Sequence, residues 1–166
     1  SDLVPTILHI AASLKKQRKT IILDPAPAQK LPKELFPLID FITPNEHEAE
    51  ALTGIHINNS DDAVSAAKAL YSLGVSNVII KQGKRGAFLY NSVKSEHVPG
   101  FQVEVADTTA AGDAFNAGFA FALGSNQSLQ SCIKYGNAVA AITCKGLGAQ
   151  QAMPAREEVE QLMGNI

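Results

Sequence analysis

Asp113 stands where a carboxylate can do chemistry. It closes the run Asp107-Thr108-Thr109-Ala110-Ala111-Gly112-Asp113, and Ala114-Phe115-Asn116-Ala117-Gly118 continues from it in a helical pattern. Small residues leading straight into a helix leave the backbone N–H groups of Ala111, Gly112 and Asp113 unobstructed. Unpaired N–H groups and the positive end of the helix dipole together attract an anion. A carboxylate beside such a site can take the proton of an attacking hydroxyl while the amides hold the charge of a transferring phosphoryl group. The plainer reading is that Asp113 only favours the helix start electrostatically and Gly112 only permits tight packing.

The elements that must position this run alternate along the chain. Ile7, Leu8, Ile10, Ala11 and Leu14 repeat at helical spacing, and the polar run Lys15–Thr20 closes that helix. Thr20–Leu23 and Phe41–Thr43 are predicted strands, each stopped by proline, at Pro25 and Pro44. Asn45–Leu52 reads as a helix ended by Gly54, and Ser60-Asp61-Asp62 as the cap of a helix ended by Gly74. Val78–Ile80, Ala87–Tyr90, Glu96–Val98 and Gln102–Val105 are further short strands. Helices follow from Ala111, over Ser128–Thr143 and over Ala155–Met163. Such alternation predicts one α/β domain over residues 1–166, with a mostly parallel sheet flanked by helices. Ligands in these folds bind at the carboxyl ends of strands. That rule puts Asp24–Ala28, Pro44–Glu48, Lys81–Gly86 and Ala106–Asp113 on one candidate edge.

Several stretches in register carry a family resemblance. Asp107–Asp113 resembles the signature Asp-Thr-x-Gly/Ala-Ala-Gly-Asp of the ribokinase-like, phosphofructokinase-B-type carbohydrate kinases. Leu23-Asp24-Pro25-Ala26-Pro27-Ala28 resembles a strand end of that family, and Thr43-Pro44-Asn45-Glu46-His47-Glu48 its Asn-x-x-Glu motif. Val98-Pro99-Gly100-Phe101 and Gly148-Ala149-Gln150 are closer to members acting on ribose than to those acting on fructose or adenosine. The resemblance runs over essentially the whole chain. It implies a three-layer, Rossmann-like fold and ATP-dependent phosphorylation of a sugar hydroxyl, ribose to ribose 5-phosphate.

The resemblance also assigns roles. Asp113 becomes the base, and Ala110, Ala111 and Gly112 the anion hole for the γ-phosphoryl group. Asn45 contacts nucleotide phosphates, and Glu48 supports Mg2+ through water, which suits an ion that keeps most of its waters. On its residues alone Glu48 is equally a solvated helix position, since Glu46 and Glu50 are as acidic. Lys81-Gln82-Gly83-Lys84-Arg85-Gly86 matches the segment lining the nucleotide, with glycines allowing close backbone approach. Lys81 replaces a common Thr and brings a cation toward phosphate, whereas Lys84 and Arg85 also fit ordinary turn positions. Asn137 matches a position on the adenine side, or is a solvated helix residue. A monovalent-cation site, usually K+, is implied at Asp107, Thr109, Thr143, Gly146 and Gly148. Ala152 stands where the family often has Ser, so one ligand is missing.

Composition narrows the alternatives. Among 166 residues the net charge is −2, giving no pull on nucleic acid or anionic lipid. No apolar run reaches the ~20 residues that span a bilayer, and no leader-like stretch opens the chain. Cys132 and Cys144 fall in one predicted helix, ~18 Å apart along its axis and beyond disulfide reach. A cytoplasmic setting is expected. By resemblance the chain corresponds to the C-terminal half of a family member, lacking the sugar-binding Gly-Gly-x-x-x-Asn stretch, the first strands and the lid. The chain by itself is therefore expected to bind ATP weakly and not to phosphorylate ribose, with a homodimer implied for the full-length enzyme. A non-enzymatic nucleotide-binding or interaction module, or a kinase of another sugar or nucleoside, are the competing functions.

Overall fold

The computed structural model describes residues 3–146 and 154–164. The chain divides into two compact units. One runs to Lys81 and includes Phe88–Glu96; the other comprises Gln82–Ala87 and the chain from His97 onward.

In the first unit, α1 (Leu3–Lys16) precedes β1 (Ile22–Leu23) and β2 (Phe41–Ile42), the two strands that prolines cut short. Helices α2 (Glu46–Thr53) and α3 (Ser60–Ser72) then lead to β3 (Asn77–Lys81). β4 (Gly86–Tyr90) and β5 (Ser95–Pro99) complete a sheet of order β1-β2-β3-β4-β5. β1, β2 and β3 are parallel, with Ile22 opposite Phe41 and Phe41 opposite Asn77. β4 and β5 each follow a turn of a few residues, and such turns join only antiparallel neighbours. The sheet is mixed, its antiparallel part being the hairpin side.

Val78, Ile79 and Ile80 are fully buried, as expected of a central strand covered on both faces. Val78 and Ile80 share a core with Ile42 and the buried side of α3, Ala66, Ala67 and Leu70. Leu35 and Phe36 add to this core from a 3-10 turn, Lys33–Leu38, that the sequence pattern did not announce. Helix α3 is capped one residue earlier than expected: Asn59, not Ser60, accepts the Asp62 N–H at 3.0 Å. The expected stops hold, with Gly54 at φ 73° and Gly74 at φ 112° in conformations that L side chains rarely adopt.

The second unit holds α4 (Ala111–Gly124), α5 (Leu129–Thr143) and α6 (Arg156–Gly164). α4 and α5 approach closely because glycines face the crossing. A Cβ on Gly118 would lie 2.7 Å from Val139 Cγ2, and one on Gly136 2.9 Å from the Phe115 carbonyl. Gln102–Val105 is irregular, not a strand: its alternation suits a sheet, but no described strand offers it a ladder. Cys132 lies inside α5 while Cys144 caps it, and both are buried free thiols. No described helix is long and apolar enough to cross a membrane.

Candidate functional site

The first unit gathers Asn45, Glu48 and Lys81 at the carboxyl ends of its parallel strands. Asn45 pairs with Lys81 as an isolated bridge, and Lys81 N–H donates to the Pro44 carbonyl at 2.8 Å. Asn45 is the N-cap of α2: its Oδ1 accepts from the Glu48 N–H, and Glu48 Oε2 accepts from the Asn45 N–H. Glu48 is thus only 9% exposed and held in place, not a solvated helix position. One carboxylate oxygen closes the cap; Oε1 makes no hydrogen bond to another described residue. Lys81 does not stand alone either, because Asp24 takes its ammonium with both carboxylate oxygens, at 3.2 and 3.1 Å. Sequence reasoning placed Asp24 on the same edge without seeing the pair.

In the second unit the segment expected to line a nucleotide forms a 3-10 turn, Gly83–Arg85, closed by Gln82 N–H donating to the Gly86 carbonyl at 2.8 Å. The two glycines differ. Gly83, at φ 57°, has open space where a Cβ would sit, so a ligand can come close. A Cβ on Gly86 would fall 2.1 Å from the Val98 carbonyl, so its close approach is to β5 backbone and not to a ligand. Lys84 and Arg85 are exposed and Gln82 is buried. Asn137, 7% exposed, is no solvated helix residue: its Nδ2 donates to the Val98 and Pro99 carbonyls at 3.2 and 3.1 Å. Only its Oδ1 remains for another partner.

The start of α4 is the most open part of this unit. Ala110 adopts φ 63°, ψ 8°, a left-handed conformation that costs a residue with a Cβ about 1–2 kcal/mol. The turn ties the Ala111 N–H to the Thr108 carbonyl at 3.2 Å. Ala111 therefore leaves the expected set of free amides. The N–H groups of Ala110, Gly112 and Asp113 donate to no backbone acceptor among the described residues. Asp113 is exposed because Ala114, Phe115, Gly118, Phe119 and Ala122 form the buried face of the helix. The strained Ala110 was not anticipated. The Gly/Ala choice at its place in the family signature is the signal that marked it.

Asp107 turns beside this start. Its Oδ1 accepts from the Thr109 N–H at 2.8 Å, and its own N–H reaches the Cys144 carbonyl at 3.1 Å, at the end of α5. That bond brings Asp107 and Thr109 to Thr143 and Gly146, whose N–H donates to the Thr143 carbonyl at 3.2 Å. A carboxylate facing the negative end of a helix favours a cation. Thr143 Oγ1, in a residue 2% exposed, has no hydrogen-bond partner among the described residues, so the donor set has oxygen to spare. These residues fit a monovalent cation; Gly148 and Ala152 lie outside the described residues. Burial, with Asp107 as a second cause, raises the pKa of the Cys144 thiol.

Fold and sites define an α/β protein with open strand ends in one unit and an open helix start in the other. The model of the pfkB family carbohydrate kinases matches residues 2–156, and the chain belongs to that family. It is 43% identical to a ribokinase of Haemophilus influenzae over 157 residues, 94% of this chain and 51% of that protein. A ribokinase structure from Thermotoga maritima superposes with a TM-score of 0.88 at 42% identity, covering 98% of this chain and 54% of that one. The Arabidopsis thaliana ribokinase complexed with ribose and ATP gives 0.90 at 32%, covering 95% and 52%. The chain spans about half the length of the curated relatives it matches.

Proposed function

We propose that the chain carries the nucleotide-binding and phosphoryl-transfer parts of an ATP-dependent sugar kinase, with ribose as the acceptor its relatives suggest. The observation that supports this best is the start of α4. Left-handed Ala110 leads into the helix, the Gly112 and Asp113 N–H groups donate to no backbone acceptor among the described residues, and Asp113 is exposed. Amides so arranged stabilise the charge that builds on a transferring phosphoryl group. Asp113 accepts the hydroxyl proton, since its carboxylate has no partner among the described residues and is free to do so. Asn45, through its Nδ2, and Lys81 act on nucleotide phosphates; the Gly83–Arg85 turn, flanked by Gln82 and Gly86, lines the nucleotide, with Asn137 beyond it.

Two cations suit the donors present. Mg2+ would neutralise phosphate charge, and Glu48 would hold it through water with Oε1. K+ would be held by Asp107 with the carbonyls of Thr109, Thr143 and Gly146, and would supply positive charge to favour an anion. Titration of the 166-residue chain with a non-hydrolysable ATP analogue, with and without K+ and Mg2+, tests the proposal. Saturable binding strengthened by both ions is expected. A chain that binds no nucleotide is an interaction module instead, and the proposal falls.

A further inference from the structure

Lys81 and Asp24 form an ion pair across the strand that separates them. Asp24 follows β1, Lys81 ends β3, and β2 lies between. Neighbouring strands are ~4.8 Å apart, so the pair bridges roughly 10 Å of sheet. The side chains are only 11% and 22% exposed. Withdrawing two charges from water is costly, and apolar side chains of similar volume would tie the strands at least as well. Stability alone does not account for charges here. Their position does bear on a ligand, because the pair sits at the strand ends beside Asn45, which bridges to Lys81.

We propose that Asp24 is a counter-charge that competes with the ligand's phosphates for the ammonium of Lys81, and so sets how tightly they are held. The inference rests on the nucleotide-binding function proposed for the same strand ends. An ammonium has three N–H donors. Two contacts go to the Asp24 oxygens, which leaves a donor for an incoming anion. The same carboxylate repels that anion at short range, in surroundings where charges are poorly screened. Asp24 thereby holds Lys81 in place and limits its pull. Its role is to position and to tune, and it need not touch the reacting atoms.

The test is calorimetry on the 166-residue chain with two probes, inorganic tripolyphosphate and a non-hydrolysable ATP analogue. Asp24→Asn keeps the shape and removes the charge. It is expected to tighten tripolyphosphate binding about three- to ten-fold at low ionic strength, with the gain shrinking as salt is added. Asp24→Ser, which also removes the charge, should shift affinity in the same direction. Lys81→Met should weaken binding, and in the double variant Asp24→Asn should bring a smaller gain than it does beside Lys81, because only the direct repulsion is then removed. A pair that only straps the strands loses thermal stability on substitution without any gain in affinity, which would overturn the proposal. If the ATP analogue binds and Asp24→Asn leaves its affinity unchanged or weaker, the counter-charge is wrong while the nucleotide site stands. If Asp24→Asn tightens tripolyphosphate but the ATP analogue binds no better than tripolyphosphate, the counter-charge stands and the nucleotide assignment falls. Binding of neither probe to any variant sinks both.

Discussion

Asn45 and Glu48 cap each other: the Asn45 Oδ1 accepts the Glu48 N–H at 2.9 Å, and Glu48 Oε2 accepts the Asn45 N–H at 2.7 Å. The Asn-x-x-Glu motif of the family is thus also a capping box, a device that satisfies two backbone donors at a helix start. The two tasks separate by substitution. Glu48→Ala removes the reciprocal bond and should cost about 0.5–2 kcal/mol in urea unfolding. Glu48→Gln keeps an acceptor in place and should lose only the smaller share that the charge adds at the helix start. Yet it lacks the charge, so Mg2+ should no longer strengthen binding of the ATP analogue. Equal Mg2+ dependence in Glu48→Gln and the parent would leave Glu48 a cap alone.

Asp113→Asn separates the base from the plainer reading in a similar way. A carboxylate in the first turn of a helix favours the helix dipole whatever else it does. A small loss of stability on substitution therefore decides nothing. The deciding measurement is nucleotide affinity. If Asp113 faces the phosphates, removing its charge should tighten binding of the ATP analogue about two- to ten-fold at low salt. An Asp113 that only serves the helix start would leave the affinity alone.

What was legible in the sequence was local. Pro25 and Pro44 marked the strand ends and Gly54 and Gly74 the helix stops, because each acts within a few residues of itself. The Asp24–Lys81 pair was not legible: its partners are 57 residues apart and meet only through the register of three strands. Gln102–Val105 failed for the opposite reason. Alternation describes one strand, whereas a ladder needs a second that the pattern cannot supply. The exposed start of α4 followed from its small residues, but the loss of the Ala111 amide to Thr108 depends on a turn that alanines do not advertise.

Ala110 carries the strain of that turn. At φ 63° its Cβ is disfavoured, and glycine would adopt the conformation freely. Ala110→Gly should therefore raise stability by up to about 1 kcal/mol, offset in part by the freedom glycine gains in the unfolded chain. Ala110→Val, β-branched in the same conformation, should destabilise strongly. Thermal unfolding of both variants checks the order, and a more stable Val variant would mean that the turn is not left-handed in solution.

The acid limb of stability should owe something to Glu50. The Ile57 N–H bond, followed by the nearby His56 and His47, holds its carboxyl below the ordinary value of 4.5. A carboxyl whose pKa is lowered on folding adds stability above its unfolded pKa, and loses it as pH falls through the folded value. Glu50→Gln should thus be less stable than the parent near neutrality. The gap should close as pH falls through and below 4.5, as the parent's carboxylate takes up its proton. Urea unfolding across that range measures it. A gap that stays constant would assign the loss to the Ile57 hydrogen bond and not to charge.

Asp107 offers the sharpest separation of loop from cation. Its Oδ1 accepts from the Thr109 N–H at 2.8 Å, and an asparagine Oδ1 can accept the same bond. Asp107→Asn should keep the turn, and with it the Cys144 carbonyl bond to residue 107, which is made by the backbone. What goes is the charge that faces the end of α5. Binding of the ATP analogue without K+ should barely change, whereas the strengthening brought by K+ should disappear. Thr143→Val tests the other side of the same site. Its hydroxyl has no partner among the described residues and the residue is almost wholly buried, so replacing it with a methyl should not cost stability through lost hydrogen bonds. If the hydroxyl helps to hold the cation, the variant should instead need more K+ for the same effect. A parent insensitive to K+ would remove the cation from the proposal, leaving the α4 amides and Asp113 to act without it.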